Sequence, residues 1–156
     1  MSSRRAFLWG VASIAIVGSS ARAIPAFAQS IPAPAERLGL KGYDPVAYFT
    51  LGAATPGVAT YELLWDGVRY RFASARHREM FRADPDRYAP QFGGQCAMNM
   101  ANGNRRESDP TIWTISSGRL YVFASAAGSE RFRQDTEANA SRADSNWRTL
   151  KDAPSQ

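Results

Sequence analysis

The chain has 156 residues, 19 Lys and Arg against 14 Asp and Glu, and a formal net charge of +5: room for one domain and little more. Its one cysteine, Cys96, excludes an intramolecular disulfide. No Lys/Arg cluster with interleaved aromatics argues for a nucleic-acid partner, and Arg69, Arg71, Arg76, Arg78 and Arg82 read as a solvated face.

Ser3-Arg4-Arg5-Ala6-Phe7-Leu8 places an arginine pair before an uncharged stretch, Phe7 to Val17. Ala26-Phe27-Ala28 then offers small residues two apart, as signal peptidase needs, and Ala21-Arg22-Ala23 is a poorer second site. The segment resembles a twin-arginine signal cleaved after Ala28. The uncharged stretch is shorter than the about 20 apolar residues of a permanent membrane anchor. The expectation is a periplasmic protein whose precursor meets the twin-arginine export machinery and signal peptidase. Removing Arg4, Arg5 and Arg22 leaves 16 basic residues against 14 acids, a mature charge of about +2. The chain then divides into a signal (1–28), a Pro/Ala-rich spacer (29–40), a domain (41–150) and a tail (151–156).

Thr60 to Trp65 reads as a strand, and Asp66-Gly67 as a two-residue hairpin turn, since both positions tolerate positive φ. Val68, Tyr70 and Phe72 alternate with Arg69 and Arg71, the pattern of a half-buried strand. Ser74 caps a helix over Ala75 to Ala83, ended by Pro85. Pro90 and Gly93-Gly94 predict an irregular connector. A second hairpin follows, Ile112 to Ser116 and Leu120 to Phe123 around Ser117-Gly118, then a helix from about Ser129 toward Asn139 and another from Ser141 to Leu150.

Shifted by 51 residues, Gly67 to Asp84 lies on Gly118 to Asp135 with ten of 18 positions identical, among them Tyr70/Tyr121, Phe72/Phe123, Ser74/Ser125 and Phe81/Phe132. Such agreement predicts one β-hairpin–helix unit used twice. The expected fold is small α+β: an antiparallel four-stranded sheet from two hairpins, with helices packed on it. Shared positions read as scaffold, so chemistry is expected where the copies differ. His77 faces Gly128, Met80 faces Arg131, and Cys96, Met98 and Met100 fall in the connector, where the 51-residue shift gives them no counterpart.

Cys96-Ala97-Met98-Asn99-Met100 spaces a thiol and two thioethers two residues apart, on one face if the run is extended. Soft sulfur ligands select Cu(I). His77, three residues before Met80 on a helix, is the candidate fourth ligand. The competing reading makes the sulfurs core filler behind the Gly93-Gly94 bend and His77 a half-buried structural residue. A nucleophilic Cys96/His77 pair ranks last, because no third group is evident to orient the histidine. Asp44, Asp84, Asp86 and Asp109, each beside or near a proline, read as turn residues.

Gly42-Tyr43-Asp44-Pro45-Val46-Ala47-Tyr48-Phe49, then Tyr70, Phe72 and Ser74, then Phe81, Pro85 and Tyr88, then Gly93-Gly94 with Cys96-Ala97, resemble the YHS-domain proteins over residues 41–150, and above all their exported, stand-alone bacterial branch. The resemblance implies metal sensing, delivery or binding, with a metal-handling partner. Metal-associated members carry cysteine where this chain has Ala47 and Ala73, so only Cys96 is retained. The reading is a periplasmic metal-binding protein, not an enzyme, holding copper as Cu(I) through Cys96, Met98, Met100 and His77. The alternative is a non-catalytic ligand- or protein-interaction module with a structural cysteine.

Overall fold

The structure, a computed structural model, describes residues 37–152. The twin-arginine segment, its cleavage site and most of the spacer lie outside the described residues, as does the end of the tail. Among the described residues no helix is long and apolar enough to cross a membrane.

The elements run β1 (Arg37–Leu38), a 3-10 turn (Gly39–Gly42), α1 (Ala47–Thr50), β2 (Val58–Trp65), β3 (Val68–Phe72), α2 (Ala75–Ala83) and α3 (Pro85–Tyr88). A second 3-10 turn (Gln91–Gly94) leads to α4 (Ala97–Ala101), β4 (Asp109–Ser116), β5 (Arg119–Phe123), α5 (Ala126–Gln134) and α6 (Thr136–Leu150). The two hairpins are built alike. Asp66 and Gly67 have φ of 48° and 70°, and Ser117 and Gly118 have 49° and 73°, the backbone that matches strand twist in a two-residue turn. Trp65 pairs with Val68 and Glu62 with Arg71, after which the register slips so that Val58 meets Phe72. Ser116 pairs with Arg119 and Trp113 with Val122, and the same slip brings Asp109 to Phe123. Even the irregularity recurs 51 residues on.

The duplication reaches back before the hairpins, where the sequences have diverged. Leu40, Lys41 and Gly42 all have positive φ, and so do Phe92, Gly93 and Gly94. Tyr43 bridges to Pro56 and Gln95 to Glu107. The amide of Asp44 donates to the Thr55 carbonyl, and that of Cys96 to the Arg106 carbonyl, both at 2.8 Å. The offset is 52 residues before this loop and 51 after it, a loop one residue shorter in the second copy.

The α+β class is as expected, but the sheet is not one four-stranded layer. β1 lies parallel to β3, giving the order β1-β3-β2, while β4 and β5 form a separate two-stranded sheet. The reason is edge occupancy. β1 covers the free edge of β3, and the extended residues Pro90 and Cys96 bridge in parallel to Leu120 and Val122 on β5. Neither hairpin keeps an open inner edge for the other.

Ser74 opens α2 by accepting from the His77 amide, and Ser125 opens α5 by accepting from the Gly128 amide. The second of these helices therefore starts at Ala126, earlier than the expected position near Ser129. Asp84 and Asp135 then cap α3 and α6 in turn. Pro90 follows closely on α3, whereas α6 runs on for 15 residues.

Each half has its own aromatic core. Phe81 packs on Tyr70 and Phe72 with ring centroids 5.0 and 5.3 Å apart, and Phe132 on Tyr121 and Phe123 at the same two distances. A third cluster, with Leu40, Tyr48, Leu120 and Val122, joins the halves. Tyr48 from the first half donates to the Pro110 carbonyl at 2.8 Å and sets its ring edge-on to Trp113 at 5.1 Å.

Gly57 lies against β3 so closely that a Cβ would stand 2.5 Å from the Arg71 carbonyl carbon. Backbone cannot swing aside, so Gly57→Ala is expected to lower the unfolding free energy by about 2 kcal/mol in urea titration; an unchanged midpoint would contradict this contact. Burial pushes the Tyr70 phenol up from 10.0 to about 12, with the nearby charge of Arg37 opposing that shift and Asp66 adding to it. The folded state thus keeps its proton where the unfolded chain loses it. Stability is expected to hold below pH 10 and to fall between pH 10 and about 12, read from urea midpoints across that window.

Candidate functional site

His77 occupies the first turn of α2, where the Ser74 cap fixes its backbone. Its ring points at Asp44, which is fully buried. One carboxylate oxygen of Asp44 accepts from the amides of Val46 (2.8 Å) and Ala47 (3.2 Å), closing the turn into α1. The other accepts from the Ala73 amide (2.8 Å) and from His77 Nδ1 (2.6 Å). A carboxylate cannot donate, so Nδ1 carries a proton in this contact. On the far side of the ring, Nε2 stands 3.2 Å from Thr50 Oγ1, which itself donates to the Val46 carbonyl at 3.1 Å. The single hydroxyl proton serves either Val46 or Nε2. Serving Val46 leaves its oxygen to accept from a protonated Nε2.

The reading that no third group orients His77 is therefore corrected: Asp44 does so, from 33 residues earlier in the chain. The aspartate is more than turn chemistry, because its side chain ties the start of α1 to the junction of β3 and α2. Acid, imidazole and hydroxyl stand in the order of a catalytic triad, but the hydroxyl is Thr50 and not the Cys96 thiol. The backbone donors around this acid, at Val46, Ala47 and Ala73, are all spent on Asp44, so they cannot stabilise an oxyanion.

Cys96 lies at the N-cap of α4 with its thiol buried. The sulfur run is helical from Ala97 onward, so the extended geometry that would align three sulfurs does not occur. Cys96 and Met100 are one turn apart, joined by the Met100 amide donating to the Cys96 carbonyl at 2.9 Å. Met98 lies ~200° round the helix from either. It faces α5, where its Cβ would be 3.8 Å from a Cβ on Gly128. All three sulfur residues belong to the core of the second half, packed with Phe123 and Phe132. His77 belongs to the first half, and both its nitrogens are engaged. Among the described residues no group of three or more His, Cys, Asp or Glu is placed to hold a metal ion.

The duplicated backbone also gives Cys96 the counterpart it lacked in the sequence. Cys96 stands where Asp44 stands, and Gly128 where His77 stands. The half with the histidine has no cysteine at the facing position, and the half with the cysteine has no histidine. Sequence reasoning passed over Asp44 and Thr50; Asp44-Pro45 followed by apolar residues was the available sign of a capping carboxylate. No family model, curated protein or solved structure matches the chain.

Asp44→Asn is expected to lower the unfolding free energy by about 3 kcal/mol, since an amide nitrogen must then face a buried donor, and His77→Ala by about 1 kcal/mol. Equal losses in urea titration would mean that the carboxylate serves the histidine alone.

Proposed function

We propose that this chain is an exported, non-catalytic binding module of the YHS type, working in the periplasm, in which Cys96 is a structural thiol. The observation that carries this reading is the position of Cys96. It is 1% exposed, sits in the core of the second half at the place of Asp44, and has Gly128 where a histidine would complete a site. A thiol there fills volume without demanding the four donors that Asp44 needs.

The likeness to YHS domains adds a second support. The positions at which metal-associated members carry cysteine, Ala47 and Ala73, both direct their amides to Asp44, which also holds His77. Alanines at 47 and 73 add no ligand beside a capped carboxylate and a satisfied imidazole. The arginine pair at the N-terminus fits an exported domain that folds before crossing the membrane.

A Cu(I) site of Cys96, Met98, Met100 and His77 is the competing reading. It asks α4 to unwind, so that Met98 turns toward the other sulfurs, and His77 Nε2 to give up its contact with Thr50. Titration of Cu(I) into the protein against a chromophoric chelator decides between them, beside Cys96→Ser. The expected outcome is no stoichiometric copper held by either protein, with Cys96→Ser less stable by about 1–2 kcal/mol for its unpaired buried hydroxyl. One equivalent of copper bound by the parent protein and lost in the variant would overturn the structural role of Cys96.

A further inference from the structure

The duplication sets a cleft at the same place in each half. One, of about 230 Å³, is lined by Trp65, Asp66, Val68, Tyr70, Asp86 and Ala89. The other, of about 530 Å³, is lined by Ser116, Ser117, Arg119, Tyr121, Glu137 and Ala140, each 51 residues later. The floor of each is a tyrosine, Tyr70 at 1% exposure and Tyr121 at 2%. Neither hydroxyl hydrogen-bonds to a described residue, and each lines its own cleft. Each hydroxyl therefore offers its cleft a fixed polar group.

The second cleft carries a cation of its own. Arg119 lays its guanidinium over the Tyr121 ring, 5.4 Å from the centroid, and donates to Asp144 (2.6 and 3.0 Å) and to Gln91 (2.7 and 2.9 Å). In the first cleft the matching residue is Val68, so no side chain of that position covers Tyr70. Asp144 and Gln91 line the first cleft as well. To them it adds Trp65, Phe92 and Trp147, the last two with ring centroids 6.3 Å apart. Asp66 and Asp86 stand at its rim and make no ion pair with a described residue. Arg37 is the cation beside it, held at 2.5 Å by the Gly93 carbonyl, and Arg119 is held by Asp144. Aromatic rings and rim carboxylates without an ion pair to a described residue, around a fixed hydroxyl, suit a cation with an apolar body. The volume is below the about 300 Å³ at which drug-sized sites begin, so the ligand is compact.

We propose that the first cleft binds a small organic ammonium ion, seated over Tyr70 among Trp65, Phe92 and Trp147, in the place that Arg119 fills in the second half. The inference rests on the reading of the domain as a binding module. It is independent of copper at Cys96, so the metal titration and the experiment below can fail separately.

The full chain is titrated with benzyltrimethylammonium, benzyl alcohol and phenylacetate, following the indole N–H signals of Trp65 and Trp147 by NMR. Benzyltrimethylammonium is expected to shift both signals to saturation, at least about tenfold more tightly than either comparator. Val68→Arg, which supplies the cation from within, is expected to abolish the shifts. Should that variant not fold, Asp66→Asn with Asp86→Asn, both at exposed positions, is expected to weaken binding about fivefold without altering the fold. Equal binding of benzyl alcohol would reduce the cleft to an apolar surface and overturn the proposal. Stronger binding of phenylacetate, or no saturable shift with the folded protein, would overturn it too.

Discussion

The first half of this domain turns on one carboxylate. Asp44 is fully buried, and a charge so placed is tolerable only when its lone pairs are met. Four donors meet them: two from the entry to α1, one from the end of β3 and one from His77 in α2. The carboxylate thus fixes the loop before α1 against the hairpin–helix unit that follows 29 to 33 residues later. Removing any of these donors leaves a buried acceptor in a low-dielectric interior, which is why the arrangement is held at several points.

The second half keeps the backbone and discards the charge. With Cys96 at the equivalent position no donors are required, and the space beside it is filled by Met100, Phe123 and Phe132. Order is supplied instead by the long helix α6. Asn146 on that helix donates to the carbonyls of Met100 and Ala101, satisfying the C-terminal end of α4. Two halves of one ancestry in backbone therefore reach stability by different means, a polar network in one and an added helix over an apolar core in the other.

What could be read in the sequence follows the same division. The hairpins were legible because Asp66-Gly67 and Ser117-Gly118 are local turn chemistry, and the repeat was legible where Tyr70, Phe72 and Phe81 recur with their partners. The earlier part of each copy was not, because Leu40-Lys41-Gly42 and Phe92-Gly93-Gly94 share a conformation while differing in side chains. That divergence concealed the pairing of Asp44 with Cys96. The sheet was misjudged for a non-local reason: β1 and Pro90 reach their edges from distant chain, and two-residue strands leave no periodic signal. The sulfur spacing of Cys96, Met98 and Met100 was read for an extended chain, yet five residues after a bend can close a turn of helix as readily. The copies differ at His77 and Gly128, but the partner of this histidine, Asp44, lay beyond any local pattern.

Divergence of paired positions gives the halves distinct surfaces as well as distinct interiors. At Val68 and Arg119 the same strand position carries a short apolar side chain in one copy and a guanidinium in the other. Arg119 gives its cleft a guanidinium and binds Asp144 and Gln91 across the domain. Val68 brings no charge to its cleft, which lies between the same two residues and Trp65, Phe92 and Trp147. A duplicated fold starts with two identical clefts, and these two have diverged in charge at this one strand position. The asymmetry then has a structural use: Arg119 holds α6 against β5, and the Asp144 and Gln91 side chains that it fixes are also walls of the first cleft.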